Sequence, residues 1–255
     1  MFITYNHAQL FTVAFGGGSR HLLAMGGWAG SWELWVDPFM HLSGAWRTAA
    51  YDHRGVGATV CPTDSITLDA LTDDVFAVMD ALHMESGVLA AESAGAAIAL
   101  RAALQQPERI RGLVLVDGMT RREASTAPDM FRMGLQHQFP QTMARFVEMC
   151  LPDPQYEAER RWGHQILARC AQPDALRLYD LMDGLNLHAQ AAQIQQPTLL
   201  IHSTGDQIVP ADDSRTLAAL LPNARLHLIE GSGHVPTLTH GAEIARVIEA
   251  FFGEQ

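Results

Sequence analysis

Three residues that can together activate a hydroxyl stand in this chain, each just past the end of an apolar run. Ser93 follows Val88-Leu89-Ala90-Ala91, Asp206 follows Thr198-Leu199-Leu200-Ile201-His202, and His234 follows the run Arg225 to Ile229. A serine hydroxyl is a weak nucleophile at its own pKa and needs a base within hydrogen-bond reach. An imidazole can be that base if a carboxylate fixes its tautomer and stabilises the imidazolium. Ser93 is the candidate nucleophile, His234 the base and Asp206 the orienting acid. Asp117, which ends the run Gly112 to Val116, is the reserve acid.

The surroundings of Ser93 suit that role. Ala94 to Ala103 is a run of small, helix-forming residues, so the chain passes from strand to helix at Ser93. Ala91 and Gly95, two residues to either side, leave room for a sharp turn that lifts the hydroxyl above the sheet. The Ala94 backbone N–H then lies at a helix N-terminus, where the dipole favours negative charge, and is a candidate oxyanion donor. Taken alone, the segment also reads as a serine N-cap on an ordinary helix. The Ser, Asp, His order at three strand ends favours the nucleophile.

A second glycine-rich turn, Gly26-Gly27-Trp28-Ala29-Gly30-Ser31, follows the run His21 to Met25. It lacks the Gly-x-Gly-x-x-Gly spacing of a dinucleotide loop and the lysine of a phosphate loop. It reads better as a loop facing Ser93, with the Trp28 N–H as second oxyanion donor. The turn Asp52-His53-Arg54-Gly55-Val56-Gly57 offers Arg54 as an anion binder or as half of a structural ion pair; the ion pair is the simpler reading.

The composition narrows the classes. All 17 basic residues are arginine, so Schiff-base, pyridoxal-phosphate and phosphate-loop lysine chemistry is excluded. A net charge of −11 argues against nucleic acid and anionic membrane as partners. Cys61, Cys150 and Cys170 are an odd, sparse set that suggests a reducing, cytoplasmic setting rather than a disulfide framework. The N-terminus has no basic region followed by an apolar one, and no stretch of about 20 apolar residues marks a membrane span. No His or Cys spacing fits a metal site. No cofactor is expected; the expected partner is a small-molecule substrate, with the chain a monomer or homodimer.

The elements that must position these residues follow from the periodicity. Phe2 to Tyr5 and Leu10 to Phe15 read as a hairpin; His21 to Met25, Trp46 to Asp52, Val88 to Ala91, Gly112 to Gly118, Pro197 to His202 and Arg225 to Ile229 read as further strands. Helices alternate with them: Thr67 caps one carrying Leu68, Leu71, Val75, Val78 and Leu82, and others run over Ala211 to Leu221 and Ile244 to Phe252. Continuous apolar strands alternating with helices imply an α/β fold, an eight-stranded, mostly parallel sheet covered on both faces. Such sheets bind ligands at the carboxyl ends of their strands. From 119 to 195 the strand pattern stops. Helical segments run over Met130 to Gln138, Thr142 to Cys150 and Glu157 to Ala171, separated by prolines, and the region 119–195 carries six of the 11 methionines. This region reads as a helical cap inserted into a core formed by 1–118 and 196–255. Its apolar residues make an adaptable pocket wall; the candidates are Met119, Phe131, Met143, Phe146 and Trp162, with Gly27 and Val235 from the core.

Over nearly its whole length the chain resembles the α/β-hydrolase superfamily, on Gly27-Trp28-Ala29-Gly30-Ser31, Tyr51 to Gly57, Ala91-Glu92-Ser93-Ala94-Gly95, Gly205 to Pro210 and Gly231-Ser232-Gly233-His234. It looks most like the capped, cofactor-free branch of small esterases, enol-lactonases, haloperoxidase-like perhydrolases and carbon–carbon bond hydrolases. The resemblance implies the α/β-hydrolase fold, a Ser93–His234–Asp206 triad and an oxyanion hole of the Trp28 and Ala94 N–H groups. Two positions depart from the pattern. Gly26 stands where a histidine is usual, and Glu92 precedes the nucleophile where histidine or glutamine is common. Glu92 either points into a hydrogen-bonded pocket or is protonated. The expected activity is hydrolysis of a small to medium apolar carboxylic ester or lactone through an acyl-enzyme. Rivals on the same triad are a carbon–carbon bond in a diketone, a thioester or an amide; further rivals are perhydrolysis or cofactor-free oxygenation, and a non-catalytic member that uses the cap as a binding lid.

Overall fold

The computed structural model describes residues 1–124 and 127–253. Strands β1 (Phe2–Tyr5) and β2 (Ala8–Phe15) form an antiparallel hairpin. Asn6 and His7 turn between them with φ of 39° and 63°, the left-handed pair whose twist matches the flanking strands. The remaining strands are β3 (Arg20–Met25), β4 (Trp46–Tyr51), β5 (Gly87–Glu92), β6 (Ile110–Val116), β7 (Thr198–Ser203) and β8 (Ala224–Ile229). They make one eight-stranded sheet in the order β1-β2-β4-β3-β5-β6-β7-β8. β2 meets β4 antiparallel, and every pair from β4 to β8 is parallel. Every residue of β5 and β7 is buried, as continuous apolar strands covered on both faces must be.

Helices fill both faces. Before β6 come α1 (Val36–Leu42), α2 (Leu68–Ala81) and α3 (Gly95–Gln105). Between β6 and β7 lie α4 (Met130–His137), α5 (Phe139–Cys150), α6 (Glu157–Leu167), α7 (Gln172–Asp180) and α8 (His188–Ala191). The chain continues through α9 (Ala211–Leu220), α10 (Pro236–Thr239) and α11 (Gly241–Phe252). Thr67 caps α2 by accepting the Ala70 N–H at 3.1 Å, and Leu71, Val75 and Val78 form its buried stripe. α3 buries five alanines; side chains this small let its axis approach the sheet.

The helical stretch differs in detail from the sequence reading. The segment expected over Glu157 to Ala171 ends at Leu167, and α7, α8, α1 and α10 were not anticipated. Pro140 and Pro173, expected to separate helices, instead lie in the first turns of α5 and α7. There the missing N–H costs nothing and the ring presets φ.

Register brings the chemistry to one edge. Met25 pairs with Ala91, Glu92 with Val116, Val116 with Ile201, and Ser203 with Ile229. The turns after β3, β5, β6, β7 and β8 therefore open at the same end of the sheet. The helical stretch between β6 and β7 is closed at its base: Arg122 N–H donates to Leu185 O at 2.8 Å and Leu187 N–H to Thr120 O at 3.1 Å. Arg54 is structural, as its simpler reading has it. Its guanidinium grips Asp74 of α2 with two bonds, 2.7 and 2.9 Å, both side chains wholly buried. Among the described residues no helix is long and apolar enough to cross a membrane.

Candidate active site

β5 ends at Glu92 and α3 begins at Gly95, so two residues make the whole turn. Ser93 takes a φ of 50°, a left-handed conformation that costs a non-glycine residue of order 1–3 kcal/mol unless its surroundings enforce it. They do. The Ser93 N–H donates to Val116 O at 2.9 Å, and its carbonyl accepts from Ala96 N–H at 3.0 Å and Met119 N–H at 2.9 Å. A β-carbon on Gly95 would stand 2.5 Å from Gly26 O, so this position admits glycine alone.

The sequence-predicted trio comes together. Ser93 Oγ lies 2.8 Å from His234 Nε2, and His234 Nδ1 lies 2.7 Å from Asp206 Oδ2. With Nδ1–H donating to the carboxylate, Nε2 accepts the Ser93 hydroxyl proton. Asp206 is held by the N–H groups of Ile208 and Val209, which donate to its Oδ1 at 2.7 and 3.0 Å. His234 is held by its own N–H, which donates to Cys150 O at the end of α5 at 2.8 Å.

The glycine loop faces the same point. A β-carbon on Gly27 would meet Ser93 Cβ at 2.7 Å and Glu92 Oε2 at 2.8 Å. One on Gly26 would strike Gly30 O at 2.7 Å, so no histidine fits where the resemblance expects one. His53, from the turn after β4, steadies the loop instead, its Nε2–H donating to Gly27 O at 2.9 Å. Trp28 and Ala94 both border the cavity at Ser93. Among the described residues, neither backbone N–H has a hydrogen-bond partner. They are thus available to a negatively charged oxygen.

The charges beneath Ser93 are crowded. Burial alone would raise the Asp206 carboxyl, but the His202 and His234 rings, 3.5 and 2.7 Å away, and the backbone donors hold it well below the usual range. Burial pulls His234 down, yet the Asp206 bond and the charges of Asp206, Glu92 and Asp117 outweigh it, and its pKa stands at about 9. Glu92, fully buried, is pushed up to about 8 by desolvation, against which His234 and the Gly27 N–H work. Both readings of Glu92 thus have a counterpart. Its Oε2 accepts the Gly27 N–H at 3.0 Å, while its buried Oε1 has no hydrogen-bond partner among the described residues and lies 3.9 Å from His234 Nε2. Burial likewise holds Asp117 above the usual carboxylate range. Its Oδ1 accepts the Ser203 N–H at 2.8 Å, and its Oδ2 has no hydrogen-bond partner among the described residues.

Asp117, Asp206 and His234 bring ligand-type atoms within 4.8 Å of one another, a grouping that chain spacing does not reveal. Both His234 nitrogens are already bonded to Ser93 and Asp206.

Two cavities meet at Ser93. The larger, about 380 Å³, is bordered by Met119, Phe131 and Phe146 as expected, together with Met149, Tyr179 and Met182. Ile208, Val209 and Pro210 close another side, and Arg121 and Arg122 also border it, paired with Asp213 at 3.2 Å and Asp129 at 2.8 Å. The smaller, about 50 Å³, is bordered by Gly27 and Val235, and also by Glu92 and His234. Met143 and Trp162 border neither cavity. Met143 is buried on the inward face of α5, and Trp162 packs on the core from α6, one residue before the cavity-facing Gly163. A helix turns 100° per residue, so composition alone could not say which member of an apolar set faces the site. Trp28 ties the two parts of the molecule together. Its Nε1–H donates to Ala175 O at 2.8 Å, and its ring meets Phe146, Phe131 and Tyr179 edge-on at 5.2, 5.5 and 6.1 Å.

Residues 43–238 match the family model described as serine aminopeptidase, S33. The chain belongs to this family of α/β hydrolases. The α/β hydrolase is 30% identical over 249 residues to a pimeloyl-[acyl-carrier protein] methyl ester esterase of Nitrosomonas europaea, covering 92% of this chain and 96% of the relative. It is also 30% identical over 237 residues to a 2-hydroxymuconate semialdehyde hydrolase of Pseudomonas sp. strain CF600, with 88% and 82% covered. An enol-lactonase structure from Burkholderia xenovorans superposes with a TM-score of 0.90 at 19% identity, covering 99% of this chain and 100% of that one. At that identity the likeness concerns the fold, which this hydrolase shares over nearly its whole length.

Proposed function

We propose that this hydrolase cleaves a small to medium, largely apolar carboxylic ester or lactone through an acyl-enzyme on Ser93. The observation that carries the reading is the unbroken relay from Ser93 Oγ through His234 to Asp206, 2.8 and 2.7 Å long, at the floor of an apolar cavity. His234 Nε2 takes the Ser93 proton as Oγ bonds to the substrate carbonyl. The carbonyl oxygen becomes an oxyanion and is received by the Trp28 and Ala94 N–H groups. His234 then gives the proton to the departing alkoxide, the acyl–oxygen bond breaks, and water repeats the sequence to release the acid. Each oxyanion donor contributes about 3 kcal/mol to such a transition state. The relative named as a methyl ester esterase supports this reading.

A second reading has its own support. The 2-hydroxymuconate semialdehyde hydrolase relative supports a carbon–carbon bond as the target, in a cavity bordered by Arg121 and Arg122, whose charges are paired with Asp213 and Asp129. Intact-mass spectrometry after exposure to a fluorophosphonate, on wild type and Ser93→Ala, tests the shared part. One adduct on the wild type and none on the variant is expected; an unlabelled, folded wild type would overturn it. A panel of esters, lactones, amides and vinylogous diketones then separates the bond types.

A further inference from the structure

The two cavities at Ser93 differ about eightfold in volume, about 380 against about 50 Å³. They also differ in which catalytic group they expose. His234 borders the small one and not the large one, whereas Ala94, one of the two oxyanion donors, borders the large one. The chemistry of an acyl-enzyme assigns each cavity a half of the substrate. The leaving oxygen must lie against His234 Nε2, because that nitrogen delivers the proton that lets it depart. Whatever substituent the oxygen carries must therefore enter the cavity that His234 lines. The acyl chain extends the other way, past Ala94 into the large cavity.

We propose that the small cavity beside His234 is the leaving-group pocket, and that it confines the enzyme to esters of very short alcohols, methyl and ethyl, carried by a large apolar acyl group. This rests on the serine-hydrolase reading above. A water takes about 10–15 Å³ by this measure, so the small cavity holds roughly three to four heavy atoms. Its far walls are set by Leu34, Val147, Leu167, Val235 and Leu238, which come from both the core and the helical stretch and cannot withdraw together. Among these apolar walls, Glu92 Oε1 is buried, 3.9 Å from His234 Nε2 and without a hydrogen-bond partner among the described residues. That oxygen can accept a hydrogen bond from the released alcohol and then from water, while the walls set the alkyl length. When the short alcohol leaves, the same space admits the water that must reach His234 for deacylation. One pocket serves the two hydroxylic species in turn.

The test holds the acyl group constant, as hexanoyl, and varies the alcohol through methyl, ethyl, n-butyl and benzyl. These alkoxides differ little in basicity, so differences in kcat/KM report the pocket. A methylene too many in a filled pocket costs about 10-fold or more, so the n-butyl and benzyl esters are expected to fall at least that far below methyl and ethyl. Leu238→Ala is expected to raise the benzyl-to-methyl ratio. Val235→Ala, at a less buried position, gives the same readout should Leu238→Ala fail to fold. Equal rates across the series, or a preference for benzyl, would overturn the pocket assignment while leaving the hydrolase reading intact. Absence of turnover on every ester, together with a Ser93 that no fluorophosphonate labels, would overturn both.

Discussion

Glu92 Oε1 stands 3.9 Å from His234 Nε2, the nitrogen that also faces Ser93 Oγ, and no hydrogen bond from the described residues satisfies it. The residue before the nucleophile thus contributes a carboxyl group to the base rather than a neutral side chain. Its other oxygen is occupied by the Gly27 N–H, so the loop that carries Trp28 and the base share one acidic neighbour. A carboxylate here favours the imidazolium and opposes an oxyanion. The balance between the two depends on whether Glu92 carries its proton.

The pH dependence of turnover should show this. His234 acts as base only when neutral, and burial, which lowers its pKa, is outweighed by Asp206, Glu92 and Asp117, leaving it at about 9. Below that value kcat/KM should rise about tenfold per pH unit, with the limb belonging to the coupled cluster. Glu92→Gln keeps the shape and the Gly27 bond but removes a negative charge, so the limb should move to lower pH. A wild-type profile flat from about pH 7 upward, or an unmoved limb in the variant, would refute the coupling.

Stability should respond in the opposite region of chemistry. Desolvation raises the folded-state pKa of Glu92 from its ordinary carboxylate value to about 8. Between those two values the native state holds a proton that the unfolded chain has lost. The contribution of Glu92 is therefore fully present below the ordinary carboxylate range and is lost as pH rises through about 8. Glu92→Gln has no proton to lose. Its melting temperature, measured against wild type across the same pH series, should gain steadily with rising pH; a constant difference would count against a buried, proton-holding Glu92.

The two acids near His234 should separate cleanly. Asp206 Oδ2 is 2.7 Å from His234 Nδ1, whereas Asp117 gives its hydrogen-bonded oxygen to the Ser203 N–H and serves the base only through its charge. Asp206→Asn leaves the ring free to take the wrong tautomer and should lower kcat by about 10⁴-fold. Asp117→Asn preserves the Ser203 bond and should cost no more than about tenfold, with the pH limb shifted downward. Single-turnover rates on ethyl hexanoate would compare them, and a larger loss from Asp117→Asn would make Asp117 the orienting acid.

What the sequence disclosed followed from short-range rules. The strand ends that place Ser93, Asp206 and His234 were visible because each apolar run stops at a glycine-rich or polar turn, and β-strand register carries those stops to one edge. Arg54 was readable as an ion-pair partner, though Asp74 could not be named: it lies 20 residues away on α2. What stayed hidden was decided by side-chain direction across elements. Nothing in the chain distinguishes Met143, buried in the core without bordering the cavity, from Met149, six residues on, which borders it. The approach of Asp117 to Asp206 and His234 joins three strand ends, and only the assembled sheet reveals it. Pro140 and Pro173 were legible as breaks, but a break and a helix's first turn use the same residue.

Gly27 offers the sharpest local test of the oxyanion loop. A methyl group there would stand 2.7 Å from Ser93 Cβ and 2.8 Å from Glu92 Oε2. Neither neighbour can yield freely: Ser93 is pinned by three backbone hydrogen bonds, and the Glu92 carboxyl is packed beneath the loop. In Gly27→Ala the loop itself must retreat, taking the adjacent Trp28 N–H with it. Loss of one aligned oxyanion donor costs about 3 kcal/mol, or roughly 10²–10³ in kcat. KM should change little, because the apolar wall that holds the acyl group comes chiefly from the helices between β6 and β7. Fluorophosphonate labelling of Ser93 should slow in parallel with kcat, since phosphonylation places its own oxygen in the same hole. If Gly27→Ala keeps wild-type kcat while its melting temperature falls, the glycine serves packing alone and the Trp28 N–H is not a donor to the oxyanion.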